Sequence, residues 1–539
     1  MTASGKSERV PAVCILLLSF LRAGSMYFYN PGPLYYYVFH FVLAAAVLWC
    51  AFRVFAKLKA GVPHRSGLTD AKYYLLCFVI LLAVWLPFLL IKYPGAMSWD
   101  TWNMILEYRY HEISEQQSVF YTLCMGSFLN LFDRLGIADA GLFIFVTIHY
   151  LLYAAVFAHS LLVIRKLGVP KWYSVTAWII CVFSPYISGY VGVALKDALY
   201  AVLLLEAMVV TAEFCSFPEI SRYKLKVALL GSAAVLACLV RKNGEYVFTG
   251  LLIFYYINSF ITRPRDGSKD TSPKSKLGII LAFSIIIYLL TTIVLRVVVS
   301  PYTGSPAEMY SVPFQQTARY VRDHPEDVTE EERIIIDNAL VYDTLASRYD
   351  PRISDPVKAY CDGDHDKLQA YFEVWRHQFL RHPLTYVAAT WEQNYYLFVP
   401  EAEVDDASYY LNAHNGYELG IERTISDERT DMYNTSPERK AVQMRLYDYL
   451  MILHRLPVIN MLWNISIYFY ILIIMTVILV RRRKDITVFL IPLITVFGVT
   501  LAPVMHGHPR YLFPLIYSIP LLVAFFISQG SSCPDKSAS

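Results

Sequence analysis

The chain has 539 residues, of which 56% are hydrophobic and only 17% are charged, a balance far more apolar than that of a soluble domain of this size. The formal net charge is only +3, and the basic residues lie mostly in short loops between apolar segments, which argues against nucleic acid as a partner. Composition therefore predicts a protein that is largely surrounded by membrane lipid.

Apolar segments of about twenty residues, the length needed to cross a bilayer, recur from one end of the chain to the other. Only helices and closed barrels can cross the hydrocarbon, and segments this long exclude barrel strands. The sequence therefore predicts an all-α polytopic membrane protein with about twelve transmembrane helices. The first segment follows Lys6 and Arg9 as in a signal peptide, but no cleavage motif follows it, and we interpret it as a retained span. The predicted spans are 11–28, 34–52, 73–91, 141–164, 172–193, 198–215, 227–240, 246–262, 277–299, 457–480, 485–503 and 511–528.

Clusters of Lys and Arg lie in short loops between these spans and begin at Arg53, Arg165, Arg222, Arg263 and Arg481. The excess of positive charge in cytoplasmic loops predicts that all of them face the cytosol. This arrangement requires an even number of spans, which is obtained if 120–131 lies along the membrane instead of crossing it. We therefore predict a multi-pass protein of the cell inner (plasma) membrane with both termini in the cytoplasm.

This topology divides the chain into three parts. Residues 1–299 form an N-terminal transmembrane bundle with a first outer loop at 92–140, and residues 457–539 form C-terminal transmembrane helices and a cytoplasmic tail. The segment 300–456 between them holds 27 of the 44 acidic residues but only 15 of the 47 basic ones. Its apolar residues have helical spacing, so we expect a mostly helical extracytoplasmic domain.

Asp100 follows the Pro94-Gly95 turn that leaves the third predicted span. A carboxylate just above the membrane could act as a general base or bind a cation. Alternatively, Asp100 caps the helix that begins at Thr101, a position that aspartate favours. The sequence leaves both interpretations open.

Two further corners place cations at the predicted outer surface. Lys196 and Asp197 lie between two apolar spans, either as an ion pair or with the lysine bound to a phosphate. Arg241 and Lys242 oppose the positive-inside trend, and a turn at Asn243 would expose them. They indicate an anionic ligand at this surface, or contact with anionic lipid headgroups.

The last predicted span is preceded by His506, His508 and Arg510. The guanidinium of Arg510 could bind a phosphate through two hydrogen bonds, or it could pair with the acidic outer domain. The two histidines could hold a metal ion, although a His-x-His pair alone is an unspecific indication.

These motifs, in this order, resemble the GT-C class of polytopic membrane glycosyltransferases, and more closely the DUF6020 family of uncharacterised bacterial membrane proteins. The resemblance covers residues 93–514. It rests on five short motifs: Pro94, Gly95 and Asp100; Lys196 and Asp197; Arg241, Asn243 and Gly244; Gln315, Gln316 and Arg319 with Ser354, Asp355, Pro356 and Lys358; and Arg510, Tyr511 and Pro514.

The chain departs from the family pattern at one place. Members of the family carry His-Pro shortly after the aspartate of the first outer loop, whereas this chain has Gln117-Ser118 ahead of Tyr121-Thr122. No role for a histidine at that position therefore carries over to this chain.

The resemblance implies a membrane glycosyltransferase that transfers a hexosyl or pentosyl group from a polyprenyl-phosphate donor to a glycan or lipid acceptor of the cell envelope, on the extracytoplasmic face. By position, Asp100 would be the base or a metal ligand, with a divalent metal ion left open. The residues around the donor phosphate would be Lys196, Arg241, Lys242 and Arg510. Further candidate metal or acceptor contacts are Asp197, Asn243, His506 and His508.

A transporter or flippase of an envelope lipid or glycan precursor is the alternative, because about twelve spans with both termini inside is also a common transporter layout. Transporters usually bind their substrates near the middle of the membrane, between repeated halves. Here the candidate residues collect at the predicted outer rim, and the two halves of the chain do not resemble one another. The sequence therefore favours the enzyme.

Overall fold

A computed structural model describes residues 3–59, 68–262, 273–304, 306–358, 361, 363–402, 441–442, 445, 452, 455–456, 460–502 and 505–530. These residues fold almost entirely into helices, which confirms the all-α class. The basic cluster at 263–272, the segment 403–440 of the expected outer domain and the tail from 531 lie outside the described residues. The N-terminal part contains α1 (Ala3–Tyr29), α2 (Leu34–Lys57), α3 (Asp70–Ile91), β1 (Ala96–Met97), α4 (Trp99–Tyr110), α5 (Val119–Arg134), α6 (Ala138–Lys166), α7 (Lys171–Phe183), α8 (Pro185–Ser188), β2 (Val193–Ala194), α9 (Lys196–Ser216), α10 (Tyr223–Val240), α11 (Asn243–Thr262) and α12 (Leu277–Val299).

Eight helical segments among the described residues are long and apolar enough to cross a membrane. They are Val10–Tyr29, Leu34–Lys57, Asp70–Ile91, Ala138–Lys166, Lys196–Ser216, Tyr223–Val240, Pro273–Val299 and Pro509–Gln529, the last of which contains α21 (Phe513–Gln529). Two shorter apolar helices, α19 (Ile465–Arg481) and α20 (Thr487–Thr500), lie where the sequence predicts further spans. The chain is therefore a membrane protein, as its composition predicts.

The continuous span predicted over 172–193 is wrong. Helix α7 ends at Phe183, and the chain continues through the single turn α8 into β2. The break follows from Pro185, because the residue before a proline is pushed out of the helical region, and Ser184 accordingly has a ψ of 124°. The segment after this break returns the chain to the end of α3, where the candidate site lies.

The segment between α12 and α19 contains a small helical domain with its own hydrophobic core. Its buried residues include Phe314, Leu340 and Tyr371, and it contacts the membrane bundle through Trp391, whose indole nitrogen donates to Ser25 Oγ at 2.8 Å. Its described part is therefore mostly helical, as expected. Its helices are α13 (Ser311–Asp323), α14 (Glu330–Leu340), α15 (Tyr342–Arg348), α16 (Asp355–Lys358), α17 (His365–Arg381) and α18 (Pro383–Asn394).

Helix α9 lies at the centre of the bundle. Almost every residue from Asp197 to Phe214 is buried, and the helix packs against α6, α10 and α21. A helix that is apolar on all sides is typical of such a central position. Its two ends nevertheless carry charged residues, and both ends prove to be clusters of ionisable side chains.

Candidate functional site

A two-residue parallel pairing brings the first outer loop to the start of α9. Ala96 and Met97 of β1 pair with Val193 and Ala194 of β2, and Lys92 at the end of α3 donates from Nζ to the Val191 carbonyl oxygen at 2.9 Å. Because parallel strands run in the same direction, the residues that follow them meet at one place. Asp100 and Lys196 are those residues.

Asp100 forms ion pairs with two cations that are far apart in the sequence. Its Oδ2 lies 3.3 Å from Lys196 Nζ and 3.3 Å from Arg510 Nη1. Burial alone would raise the pKa of the carboxyl, but the charges of Lys196 and Arg510 outweigh it and lower the pKa to about 2. Asp100 is also in the first turn of α4, whose N-cap is Ser98, so the capping interpretation that the sequence left open for Asp100 is wrong, and Ser98 fills that role.

A second ion pair lies beside the first. Arg241 Nη1 donates to Asp197 Oδ1, and the guanidinium lies over the rings of Tyr200 and Tyr511 at 5.8 and 5.3 Å from their centroids. Arg510 Nη2 donates to the hydroxyl of the same Tyr511 at 2.7 Å. Tyr511 therefore joins the two arginines. We name this set of side chains, Asp100, Lys196, Asp197, Arg241 and Arg510, the Asp100 cluster.

The Asp100 cluster contains more cations than carboxylates. Its three cationic side chains are mostly buried, with exposed fractions of 12 to 17%. Two carboxylates oppose them, so one positive charge exceeds the negative charge within the cluster. An excess of positive charge in a partly buried site favours the binding of an anion.

Helix termini add to this positive potential. Several long helices begin within three residues of the cluster or of its neighbour Gln117, and a helix N-terminus carries a partial positive charge and free N–H groups. These helices are α4, α5, α9, α11 and α21. The site therefore combines side-chain cations with helix ends of the same sign, as phosphate-binding sites commonly do.

Gln117 is a site residue that the sequence analysis missed. Its Oε1 accepts a hydrogen bond from Lys196 Nζ, so it holds the lysine that also binds Asp100. The departure from the family's His-Pro motif falls at this glutamine. A polar side chain in place of a motif histidine was the sequence feature that could have identified Gln117 as a site residue.

Of the other predicted site residues, Lys242 and Asn243 lie at the edge of the cluster. Lys242 Nζ donates to the Glu115 carbonyl oxygen at 2.5 Å, and Asn243 begins α11. Gly244 is required here by space, because a Cβ would lie 2.9 Å from the Cys238 backbone of α10. The Arg-x-Asn-Gly motif is therefore a close turn between α10 and α11, and it positions Arg241 in the cluster.

His506 and His508 have structural partners. The ring of His506 lies against Tyr395, its Nδ1 is 2.8 Å from the Gln393 carbonyl oxygen, and burial lowers its pKa to about 4. His508 Nδ1 accepts from the Arg510 backbone N–H at 3.4 Å, and burial lowers the pKa of His508 well below its usual value. Neither belongs to a group of three potential metal ligands in the described part of the chain.

Two cavities of different character meet at Gln117. A groove between α5, α10 and α12, with about 440 Å³ of space that opens to solvent, is mainly apolar, and its lining includes Phe120, Leu239, Leu295 and Lys242. The ion pair of Arg296 with Glu115 also lines it. A more open pocket of about 560 Å³ beside α4 is polar, and its lining includes Asn103, Glu107, Glu112 and Gln116. Gln117 lines both cavities and also accepts a hydrogen bond from Lys196, so both cavities adjoin the Asp100 cluster at this residue.

The opposite half of α9 takes part in a second charged cluster, which the sequence analysis also missed. Glu213 Oε2 lies 2.6 Å from Lys226 Nζ and 3.6 Å from His159 Nε2, and His159 Nδ1 lies 2.9 Å from Glu206. Lys166 Nζ is 3.7 Å from the other oxygen of Glu213. We name these five residues the Glu213 cluster. The signal was present, since ionisable residues inside apolar spans are rare and costly.

Comparison with known proteins gives one result. The model of the DUF6020 family, described as a family of unknown function, matches residues 108–537. No curated protein and no solved structure matches the chain.

Proposed function

The chain belongs to the DUF6020 family, and on that premise we propose that it is a membrane-embedded glycosyltransferase of the GT-C type. It transfers a sugar from a polyprenyl-phosphate donor to a glycan or lipid acceptor of the cell envelope. The observation that carries the proposal is the excess of buried cations in the Asp100 cluster, which fits the phosphate of such a donor.

The groove beside the cluster fits the lipid part of the donor. Phe120, Leu239 and Leu295 line it with apolar side chains, and Lys242 adds a cation, whereas Arg296 in the same lining pairs with Glu115. A prenyl chain in this groove would direct its phosphate past Gln117 toward Lys196 and Arg241. The combination of an apolar groove and a cationic end matches an amphipathic anion better than it matches free phosphate.

The polar pocket on the other side of Gln117 fits a hydroxyl-rich group. Carboxylates and amides, here Glu107, Glu112, Asn103 and Gln116, are the side chains that accept hydrogen bonds from sugar hydroxyls. We assign the acceptor to this pocket, with its hydroxyl group next to Asp100 on the same helix, α4.

The charge of Asp100 suggests an order of events. In the free protein its pKa of about 2 makes it a weak base, because Lys196 and Arg510 bind it. A donor phosphate that binds these cations would share their charge and raise the proton affinity of Asp100. Asp100 then accepts the proton of the acceptor hydroxyl as its oxygen bonds to the anomeric carbon, and the carbon–oxygen bond to the phosphate breaks. The leaving phosphate keeps the electron pair, and the cations stabilise its charge.

A divalent metal ion, which the resemblance left open, does not fit at Asp100. The carboxylate oxygen that would bind it already faces Lys196 and Arg510, and Asp197 faces Arg241. A metal ion would have to displace these cations against their repulsion. We therefore derive no step of the reaction through a metal at this site.

The proposal includes the topology expected from the sequence. About twelve spans in the cell inner membrane, with both termini in the cytoplasm, would place the Asp100 cluster on the extracytoplasmic side. Lys166 and Lys226 of the Glu213 cluster would then lie on the cytosolic side. Labelling of single cysteines introduced at Gln116 and Glu219, both near the surface, tests this arrangement. Labelling of both positions from the same side of the membrane would contradict it.

A transporter is the second candidate, and the Glu213 cluster is the observation that favours it. His, Glu and Lys side chains within membrane spans are typical of proton relays in pumps and transporters. Under that hypothesis the Asp100 cluster would bind an anionic cargo, and no glycosidic bond would form.

Binding and product analysis separate the two functions. We expect the purified protein to bind undecaprenyl phosphate but not undecaprenol, which has the same chain and no charge. We further expect a deletion strain to lack one sugar substituent of an envelope glycan or glycolipid, detected by mass analysis. Equal binding of both lipids would contradict the proposal that the protein recognises the phosphate group. Accumulation of an unaltered lipid-linked precursor without loss of a substituent would favour the transporter.

A further inference from the structure

A group of potential metal ligands lies in the small helical domain, away from the Asp100 cluster. Within the described residues, one group of three potential ligands has its ligand atoms within 4.8 Å of one another, namely His324, Asp327 and His382. His382 Nε2 lies 2.7 Å from Asp327 Oδ2, and the two imidazole rings stack with centroids 3.9 Å apart. None of these residues was singled out in the sequence.

The two histidines occupy equivalent positions. His324 is the C-cap of α13, His382 is the C-cap of α17, and a proline follows each of them. Proline ends a helix, so each histidine is fixed at the point where its chain turns. The two helix ends lie side by side, which brings together ligands separated by 58 positions in the sequence.

The surroundings of the group hold its parts in place. The buried ring of Tyr320 lies against both imidazoles, with centroid distances of 5.6 and 5.5 Å. Arg381 donates to the Asp327 carbonyl oxygen and pairs with Glu332, and Thr385 Oγ1 is 2.9 Å from His324 Nε2. Such partners orient the ligands in metal sites.

From this arrangement we propose that His324, Asp327 and His382 form a binding site for a divalent metal ion of the zinc type. Two imidazoles and one carboxylate are a donor set that suits zinc, and a water molecule or a group of a ligand would complete the coordination. The ion would take the place of the proton between His382 and Asp327. A rotation about χ2, which is soft in histidine, would turn the stacked rings toward it.

The site is independent of the proposed sugar transfer. The three ligands lie in the small outer domain, and the helices that carry them are packed by its own core. A metal ion here would link the ends of α13 and α17 and so stabilise that domain, with the fourth coordination position left to water or a ligand group. Failure of the glycosyltransferase proposal would leave this inference unaffected.

The test uses the full-length protein in detergent, stripped with EDTA and titrated with Zn²⁺ by calorimetry, with Co²⁺ absorption as a second probe. We expect about one ion per chain and a loss of affinity of roughly 100-fold or more in His324→Asn, His382→Asn and Asp327→Asn, since even changes to the partners of metal ligands cost about 10- to 100-fold. The control is His377→Asn, an exposed histidine on the same helix α17, which should bind as the wild type does.

Two results would overturn the proposal. Absence of Zn²⁺ uptake by the wild-type protein would leave the group as an ion pair beside two stacked rings. Equal uptake by the wild type and the three ligand variants would place the ion elsewhere, for example at His506. Asp327 is partly exposed, so Asp327→Asn keeps the test valid if a histidine variant does not fold.

Discussion

The two charged clusters of helix α9 are built from similar residues but differ in charge balance. The Asp100 cluster at its first turn has three cations and two carboxylates. The Glu213 cluster, about 25 Å further along the helix by the helical rise, has Lys166, Lys226 and His159 opposite Glu206 and Glu213. Asp70 adds a third carboxylate, 3.2 Å from Lys166 Nζ. Each charge of the second cluster has a partner within the protein.

This difference in charge balance gives a criterion that distinguishes a structural network of ion pairs from a binding site. Three buried cations that share two carboxylates leave a costly excess of positive charge, and a protein keeps such an excess where a ligand or substrate supplies the missing negative charge. A network with equal numbers of positive and negative charges needs no ligand to neutralise it. We therefore interpret the Glu213 cluster as a link between α6, α9 and α10, and the Asp100 cluster as a site that is completed by an anion.

The largest expected effect concerns the chemistry of the Asp100 cluster. Asp100→Asn should reduce sugar transfer by roughly 100- to 10,000-fold, the range that a general base contributes. Binding of undecaprenyl phosphate should be retained or tightened, because the substitution removes a negative charge that competes for Lys196 and Arg510. The measurement is restoration of the envelope product in the deletion strain, together with lipid binding by the purified variant.

Asp133→Asn is the matched control for that variant, since Asp133 is a partly exposed carboxylate paired with Arg109 outside the cluster. It should restore the product as the wild type does. Full restoration by Asp100→Asn would remove the carboxylate from the mechanism and leave an anion site without an assigned chemistry.

The second prediction tests the balanced cluster. Glu213→Gln leaves Lys226 and Lys166 without their shared carboxylate in a buried environment, and breaking a buried ion pair costs about 3–5 kcal/mol. The free energy of unfolding in detergent should fall by that order. Glu219→Gln, at an exposed position beyond the end of α9, should change it by less than about 0.5 kcal/mol. An unchanged stability of Glu213→Gln, combined with lost uptake of a substrate, would favour the transporter.

The sequence predicted which charged residues belong to the candidate site better than it predicted which residues they contact. Asp100, Lys196, Arg241 and Arg510 were identified because polar turns interrupt apolar spans, a local signal. Their meeting depends on the pairing of β1 with β2, which involves two residues on each side and has no periodicity to detect. The topology predicts that these residues share one side of the membrane, and their direct contact could be expected only from the resemblance to a family.

Inside the spans, the sequence prediction omitted one charged cluster and assigned one span incorrectly. The Glu213 cluster lies away from the loops that hold the other candidate charges, although Glu206 and Glu213 stand in an apolar segment of the sequence, where such residues are costly. The continuous span predicted over 172–193 is wrong because hydropathy does not register Pro185, which ends the helix. Both errors have local signals, whereas the stacking of His324 on His382 has none.

The third prediction isolates the phosphate-binding role of Arg241. Arg241→Ala alone would leave Asp197 buried without a partner, so the double variant Arg241→Ala/Asp197→Asn keeps the charge balance of that pair. Binding of undecaprenyl phosphate should weaken by roughly 10- to 100-fold, as expected for a lost hydrogen bond between charged groups. The stability of the double variant should change much less than that of Glu213→Gln.

A control cation for this test is Arg53, which lies against Trp49 on α2 and is not part of either cluster. Arg53→Ala should leave lipid binding unchanged. If Arg53→Ala and the double variant weaken binding equally, the lipid responds to the total charge of the protein, and the cluster is not a specific phosphate site.

The smallest effect concerns pH. The pKa of Asp100 is about 2 in the folded protein and about 4 in an unfolded chain, so the folded state binds fewer protons between these values. The stability that its ion pairs provide is therefore complete above about pH 4 and is lost as the pH falls toward 2. Because Asp100 is partly exposed, we expect its ion pairs to contribute about 1–2 kcal/mol to the free energy of unfolding.

Melting temperatures between pH 5 and pH 3 should fall less steeply in Asp100→Asn than in the wild type. Parallel slopes would mean that Lys196 and Arg510 do not hold the carboxylate in the free protein, and bound phosphate should produce the same flattening if it takes both cations from Asp100.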